Sequence, residues 1–296
     1  MRRDRRSRSF LGLTTAVALA GCSPAVGPRC ELAAGPFAFP PALSESSGVA
    51  WGLQNPDVVW TVADGRADRV WALDTRGTVI AEVPVELPGV WDVEDLAVAP
   101  CDEGACLYLA DVGDNAYTRD SLVVWQFEEP DVGGGLQGRT DPVRNVVAWT
   151  LRFPGDAHDV EAMFLDGTGR VRLISKGVDR PVRHFRGPVI DGFGGGEGVL
   201  EEVQSLGQEP RVLANQVTGA GAIPGTDRVV LRTYRDLLLY RLEDELLVPV
   251  EGGVESLLSL REPQGEAIAS DRRGRVVLTS EAGPLGRAGG MHLLSC

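Results

Sequence analysis

The chain has 296 residues, with 42 acidic and 29 basic side chains and a formal net charge of −13. This negative excess argues against a nucleic acid partner, because binding to phosphates requires clusters of lysine and arginine. Hydrophobic residues make up 43% of the chain and charged residues 24%, which is typical of a globular domain with a complete core.

The first 21 residues predict a lipoprotein signal peptide. A basic segment, Arg2–Arg8, precedes an apolar segment, Phe10–Ala20, that is too short to span a bilayer. Leu19-Ala-Gly-Cys22 then resembles the lipobox of bacterial lipoproteins. That resemblance implies cleavage before Cys22, a palmitate-type lipid on Cys22 and attachment to the membrane. Ser23 at the next position implies export to the outer membrane of the cell envelope. An ordinary secretory signal is the alternative.

Residues 22–29 contain Pro and Gly and predict a flexible tether before a folded domain at 30–296. Four cysteines remain in that domain, and an even number in an exported protein predicts disulfide bonds. Cys101 and Cys106 flank a turn-like sequence and are placed to close a hairpin, which leaves Cys30 to pair with Cys296. Unpaired buried thiols are the alternative.

Five related segments follow along the domain, each with a polar or small residue ahead of a β-rich run. They begin at Ser47, Glu94, Glu161, Gly219 and Glu266. A period near 50 residues made of short strands predicts an all-β fold, a five-bladed β-propeller of four-stranded blades. The last repeat is one strand short, so we expect Cys30–Phe39 to supply that strand and close the ring. A sixth blade within residues 130–160 is the alternative.

The lead residues of the repeats predict a metal site. The first strand of each propeller blade lines the central channel, so Ser47, Glu94, Glu161 and Glu266 should face one another. Carboxylates held together repel one another unless a cation neutralises them, and oxygen ligands suit calcium. The alternative is that each glutamate caps backbone amides at its own strand.

Loops after the second strands should surround the same channel mouth. They predict a ligand-binding rim formed by Asp111, Asp114, Asn115, Arg119, Lys176 and Arg235. The three cationic members would suit an anionic ligand. For Asp114 a simple turn-stabilising role is the alternative.

Two family resemblances accompany these motifs. The pattern Ser, Glu, Glu, small, Glu resembles that of calcium-activated nucleotidases (apyrases), which implies five blades with calcium in the channel; Gly219 departs from the serine of that family. Ser44–Gly48, Asp92–Ala97 and Asp111–Asn115 resemble segments of uncharacterised exported bacterial β-propeller lipoproteins, from which no activity follows.

The sequence contains no Gly-x-Ser-x-Gly elbow, no His-Glu-x-x-His motif and no P-loop. We therefore expect a lipid-anchored propeller of the cell envelope that acts as a binding or scaffold protein, with calcium in its channel. Its expected partners are the membrane, through the lipid on Cys22, and a protein or small-molecule ligand; we expect a monomer. The alternative is a calcium-dependent hydrolase of phosphorylated or esterified small molecules.

Overall fold

The computed structural model describes residues 30–64, 68–102, 104–133, 138–190 and 192–296. The predicted signal peptide, the tether and Cys22 lie outside these residues and stay predictions. Within the described ranges, no helix has the length and apolar character needed to cross a membrane. In these described ranges the regular elements are 22 strands and four short 3-10 helices, the latter at Pro41–Leu43, Leu213–Asn215, Leu258–Leu260 and Pro284–Gly286.

The strands form five sheets, each with a four-stranded antiparallel core. Blade 1 contains β2 (Ser46–Trp51), β3 (Val59–Ala63), β4 (Arg69–Leu73) and β5 (Val79–Pro84). Blade 2 contains β6 (Val93–Cys101), β7 (Gly104–Asp111), β8 (Leu122–Glu128) and β10 (Val147–Arg152). Blade 3 contains β11 (Val160–Leu165), β12 (Arg170–Ser175), β13 (Arg183–Val189) and β15 (Glu201–Ser205). Blade 4 contains β16 (Val217–Ala222), β17 (Arg228–Thr233), β18 (Asp236–Glu243) and β19 (Leu246–Ser256). Blade 5 contains β20 (Gln264–Ser270), β21 (Arg275–Glu281), β22 (Gly290–Ser295) and β1 (Glu31–Ala38).

The first strand of each blade lies on the inside of a closed ring, in the order β2, β6, β11, β16, β20 and back to β2. This arrangement confirms the predicted five-bladed propeller, and the alternative of a sixth blade is wrong. Residues 130–160 instead supply β9 (Gly138–Arg139), which pairs in parallel with β5, and the outer strand of blade 2. The segment thus crosses back to cover an open edge of blade 1, where an unpaired strand would attract other chains.

A second edge is covered in the same way. The segment 196–205 is divided between β14 (Gly196–Val199) and β15. β14 pairs in parallel with β10 of blade 2, whereas β15 pairs with β13 of blade 3. The buried Leu200 lies at the point of division.

The ring closes as the sequence predicts. β1 pairs with β22 as the outer strand of blade 5, and Cys30 and Cys296 form a disulfide with their Cα atoms 4.1 Å apart. Cys101 and Cys106 form the second disulfide, across the β6–β7 hairpin. Both predicted pairings are confirmed.

Hydrophobic side chains fill the spaces between neighbouring blades, with one cluster for each of the five blade interfaces. Trp60, Phe185, Trp71, Tyr240 and Leu278 each belong to a different cluster. Because every blade is packed on both faces, the inner strands are held in fixed positions around the channel. All five inner strands begin at one end of the channel, here called the upper mouth, and finish at the other, the lower mouth.

Candidate functional site: the acidic upper mouth of the channel

Every inner strand has an irregularity in its pairing with the second strand of its blade, close to the residue at which the inner strand begins. The register between the first and second strand shifts at equivalent points in all five blades. A β-bulge leaves a residue out of the ladder and turns its side chain in a new direction, and such bulges are common beside functional sites. The bulges place five side chains around the upper mouth: Ser47, Glu94, Glu161, Thr218 and Glu266. We call these five residues the channel ring.

The fourth member of the ring, Thr218, differs from the residue that the sequence repeats predicted, Gly219. Val217 pairs with Thr233 as Val160 pairs with Ser175, so Thr218 is equivalent to Glu161. Gly219, which the sequence alignment placed there, is one residue farther into the channel. A Cβ at 219 would lie 2.8 Å from the carbonyl oxygen of Glu266, so only glycine permits this approach of β16 to β20. The ring therefore has an oxygen-bearing side chain in every blade.

The hydroxyl groups of Thr218 and Ser47 differ in their hydrogen bonding. The Ser47 hydroxyl donates to the backbone carbonyls of Val93 and Glu94, at 2.7 and 3.0 Å. Thr218 is 1% exposed, and its Oγ1 has no hydrogen-bond partner among the described residues. A buried polar atom without a partner is costly and needs an explanation.

One cationic side chain, that of Lys176, pairs with the channel ring. Lys176, directly after β12, places its Nζ 2.6 Å from Oε1 of the buried Glu161. Burial raises the pKa of Glu161 to about 8, with contributions from Asp159 and Asp92, although Lys176 opposes the shift. Burial alone would lower the pKa of Lys176, but the charge of Glu161, its hydrogen bond to Lys176 and the charges of Tyr234 and Glu94 together outweigh burial and raise the pKa.

Glu94, on the neighbouring inner strand β6, lies beside a second carboxylate, that of Asp92. A Cβ at Gly113 would overlap with Oδ2 of Asp92 and with Oε1 of Glu94, so a residue without a side chain is required there. Burial raises the pKa of Glu94 well above its usual range, and the charges of Glu161 and Asp92 raise it further. The pKa of Asp92 is also raised, first by burial and then by neighbouring acidic groups.

Glu266 completes the acidic part of the ring. Gln264 Nε2 donates to Glu266 Oε1 at 2.8 Å and also to Oε2 of Glu281. Burial raises the pKa of Glu266 well above its usual range, and the charge of Glu281 adds to this. Burial likewise raises the pKa of Glu281 to about 7. Such shifts mean that these groups hold protons more strongly than free carboxylates do.

A fully buried carboxylate lies one residue below the ring and was missed by the sequence analysis. Asp95 accepts hydrogen bonds from its neighbour Leu96 N and from Met163 N of β11, both at 2.8 Å, and from the Ala220 amide of β16. Burial still raises its pKa well above the usual range. Asp95 thus ties three inner strands together between the two mouths of the channel. Its position after Glu94, where the other repeats have Gly or Ala, is the signal that distinguishes it.

Three members of the predicted rim form the internal structure of one loop. Asp111 accepts hydrogen bonds from the backbone amides of Trp91 and Asp92 and forms an ion pair of 2.9 Å with the buried Arg119. Asp114 accepts from the amides of Thr118 and Arg119 at 2.9 Å, which is turn chemistry.

The other predicted rim residues are not brought together as one anion site. Asn115 is exposed on the same loop. Arg235 is exposed and pairs with its neighbour Asp236 at 2.8 Å, while Lys176 lies inside the ring. All three predicted cations therefore have carboxylate partners, and the mouth as a whole is acidic rather than cationic.

The channel ring has the types of side chain that bind calcium, but these side chains are not arranged around a common point. Carboxylate and hydroxyl oxygens are the ligands that calcium prefers. In the described part of the chain, however, no group of three or more Asp, Glu, His or Cys side chains is arranged to hold a metal ion. Lys176 donates a hydrogen bond to the Glu161 carboxylate, and Gln264 donates one to the Glu266 carboxylate. The predicted calcium site therefore stays a prediction.

Comparisons with known proteins support the fold and nothing finer. No protein-family model matches the chain, and no curated protein matches it. Its fold is similar to that of a PQQ-bound aldose sugar dehydrogenase from Streptomyces coelicolor, at 12% identity and a TM-score of 0.53, over 92% of this chain and 99% of that one. A glucose dehydrogenase is similar at 12% identity and a TM-score of 0.52, over 91% and 99% of the two chains. At such low identity these similarities show a propeller fold but not an activity; the lipoprotein and nucleotidase resemblances are not supported by them.

Proposed function

We propose that this protein is a binding propeller of the cell envelope whose acidic upper mouth takes a small cation. The observation that carries the proposal is the set of five bulges, which put an oxygen-bearing side chain from every blade at the upper mouth. Near the mouth lie Asp92, Asp159 and Glu281 in addition to the three ring glutamates. Lys176 is the only ammonium group available to them, because the chain contains a single lysine.

Protons supply part of the missing positive charge. The raised pKa values of Glu94, Glu161 and Glu266 indicate that charged carboxylates are unfavourable in this mouth without compensation. A bound cation would replace those protons, so binding should release protons and weaken as the pH falls. The unpartnered hydroxyl of Thr218 supplies a further oxygen ligand.

Calcium is the ion predicted from the sequence, and an organic ammonium ion is the other cation with suitable charge. To bind calcium, Glu161 or Glu266 would have to give up its present hydrogen-bond partner. An ammonium ion would instead donate hydrogen bonds to the carboxylates in the way that Lys176 already does. The hydrolase alternative gains no specific support from the mouth, whose carboxylates are placed to bind charge.

Titration calorimetry and thermal unfolding with two probes test the proposal. Calcium chloride and putrescine are each added to the wild type and to Glu94→Gln, and Glu128→Gln serves as the control because Glu128 is exposed and outside the channel. We expect at least one probe to bind and to raise the melting temperature, with an affinity at pH 8 at least tenfold that at pH 5.5. Glu94→Gln should weaken binding at least fivefold, and Glu128→Gln should not. Identical melting with both probes and with chelator would overturn the proposal.

A further inference from the structure

The lower mouth of the channel opens into a cavity of about 220 Å³ that the acidic mouth does not share. Asp95 and the packed inner strands separate the two ends. The cavity is lined mainly by apolar side chains from the ends of the inner strands and the loops after them, including Trp51, Leu53, Met163, Leu165, Pro224 and Ile268. Leu53, which is 41% exposed, lies at its edge.

Two residues of this cavity carry buried polar atoms that need a partner. The hydroxyl of Ser270 and the indole N–H of Trp51 are buried and make no hydrogen bond within the described residues. Both residues line the cavity and both are more than nine-tenths buried. A buried donor without an acceptor costs free energy, and an acceptor brought by a ligand would recover it.

The rim of the cavity carries three arginines, of which one differs from the others. Arg273 and Arg275 form ion pairs with Asp57, and Arg275 also pairs with Asp271. Arg272 lines the cavity and is exposed, and it makes no ion pair among the described residues. The two carboxylates that line the cavity are thus already paired, and Arg272 is the charged side chain of the lining that remains.

We infer that the lower mouth binds a small amphipathic carboxylate. Its apolar body would occupy the cavity, where burial of apolar surface drives binding. Its carboxylate would pair with the Arg272 guanidinium, and the Ser270 hydroxyl would donate a hydrogen bond to it. The volume suits a ligand with on the order of ten non-hydrogen atoms and lies just below the usual range for ligand pockets, roughly 300–1,000 Å³. The ligand is anionic, so this site is opposite in charge to the upper mouth and independent of it.

Octanoate and its neutral analogue octan-1-ol are the probes for titration calorimetry with the purified protein. Arg272→Gln should weaken octanoate binding at least tenfold and change octanol binding less than twofold, because only the acid uses the charge. Ala222→Phe places a large side chain at a position that lines the cavity and should abolish binding of both probes. Arg228→Gln is the matched control, since Arg228 is exposed at the same end of blade 4 but does not line the cavity, and it should leave both affinities within twofold.

Thermal unfolding of each variant without ligand separates loss of the site from loss of the fold. Should Ala222→Phe melt abnormally, Ser270→Ala serves in its place and should weaken octanoate at least threefold. Calcium or putrescine should not compete with octanoate, which distinguishes this site from the upper mouth. Failure of octanoate to bind, or binding that is unchanged in Arg272→Gln, would overturn the inference.

Discussion

Lys176 Nζ lies 2.6 Å from Oε1 of Glu161 inside the channel ring, and Lys176 is the only lysine among 29 basic residues. Arginine serves everywhere else in the chain. An ammonium group is compact and presents its donors around one point, whereas the guanidinium of arginine is a planar fork that needs more room. The crowded ring therefore explains why this one position differs from the other basic positions.

Lys176→Met should destabilise the fold, and more so at high pH. Removal of one partner leaves a buried carboxylate without compensation, which costs about 3–5 kcal/mol for a fully buried pair and less here, because the Lys176 side chain is partly exposed. At pH 5.5 Glu161 is protonated, so the loss should be smaller than at pH 9. Denaturant unfolding at both pH values measures this, and the double variant Lys176→Met/Glu161→Gln should recover most of the loss at pH 9. Equal losses at both pH values would contradict it.

Glu281→Gln should change the pH dependence of stability in a definite direction. The folded-state pKa of Glu281 is raised to about 7, mainly by burial, so the protonated group stabilises the fold below its unfolded pKa. That contribution is lost as the pH rises through about 7. Relative to wild type, the glutamine variant should therefore gain up to about 3 kcal/mol of unfolding free energy between pH 5 and pH 9. Urea unfolding across this range tests the sign, and a gain that instead appeared toward low pH would contradict it.

Thr218→Val tests whether the unpartnered hydroxyl serves a ligand. Without a ligand, replacement of a buried, unsatisfied hydroxyl by a methyl group should be neutral or stabilising by about 1 kcal/mol. If calcium or putrescine binds at the upper mouth as proposed, the same change should weaken that binding. Melting temperatures of Thr218→Val and of Thr218→Ser, which keeps the hydroxyl, are compared with and without the cation. A large destabilisation of the free protein by valine would show that the hydroxyl has a structural partner.

The two disulfides should contribute very differently to stability. Cys30 and Cys296 are separated by 266 residues, whereas Cys101 and Cys106 are separated by five. In the chain-entropy account the long loop contributes about 5 kcal/mol and the short one about 2 kcal/mol. Cys30→Ser/Cys296→Ser should therefore lower the denaturant midpoint more than Cys101→Ser/Cys106→Ser does. Equal effects would indicate that β1 stays paired with β22 without the covalent bond.

Cys22→Ser tests the predicted lipid anchor, which lies outside the described residues. The serine variant should lose its association with the membrane fraction and keep its signal peptide, because lipidation of this cysteine precedes cleavage in bacterial lipoproteins. Fractionation and the apparent mass of the protein measure both effects. Normal cleavage with unchanged partitioning would favour an ordinary secretory signal.

The fold could be predicted from the sequence because its features recur. Period, strand spacing and the missing fifth-blade strand each indicate a closed ring, and the cysteine at either end agrees with it. The site could be predicted only in part. A bulge changes the register by one residue. The pattern of small residues therefore predicted Gly219 as the ring residue of blade 4, whereas Thr218 holds that position. The pairing of Lys176 with Glu161 joins a residue after β12 to one in β11, and its significance depends on distances that sequence does not contain. Asp95 was missed because one carboxylate among many has no repeat to mark it.

The Cys30–Cys296 bond also determines how the ring would respond to mechanical force. Cys30 lies at the end of blade 5 where β22 finishes, which is the lower end of the channel. A pull on the chain before Cys30 would pass directly through the sulfur–sulfur bond into the last residue of the chain. It could not peel β1 from β22 one hydrogen bond at a time. If residues 1–29 attach the protein to a surface, the eight residue-to-residue steps from Cys22 to Cys30 span at most about 28 Å, and the acidic mouth faces away from that surface.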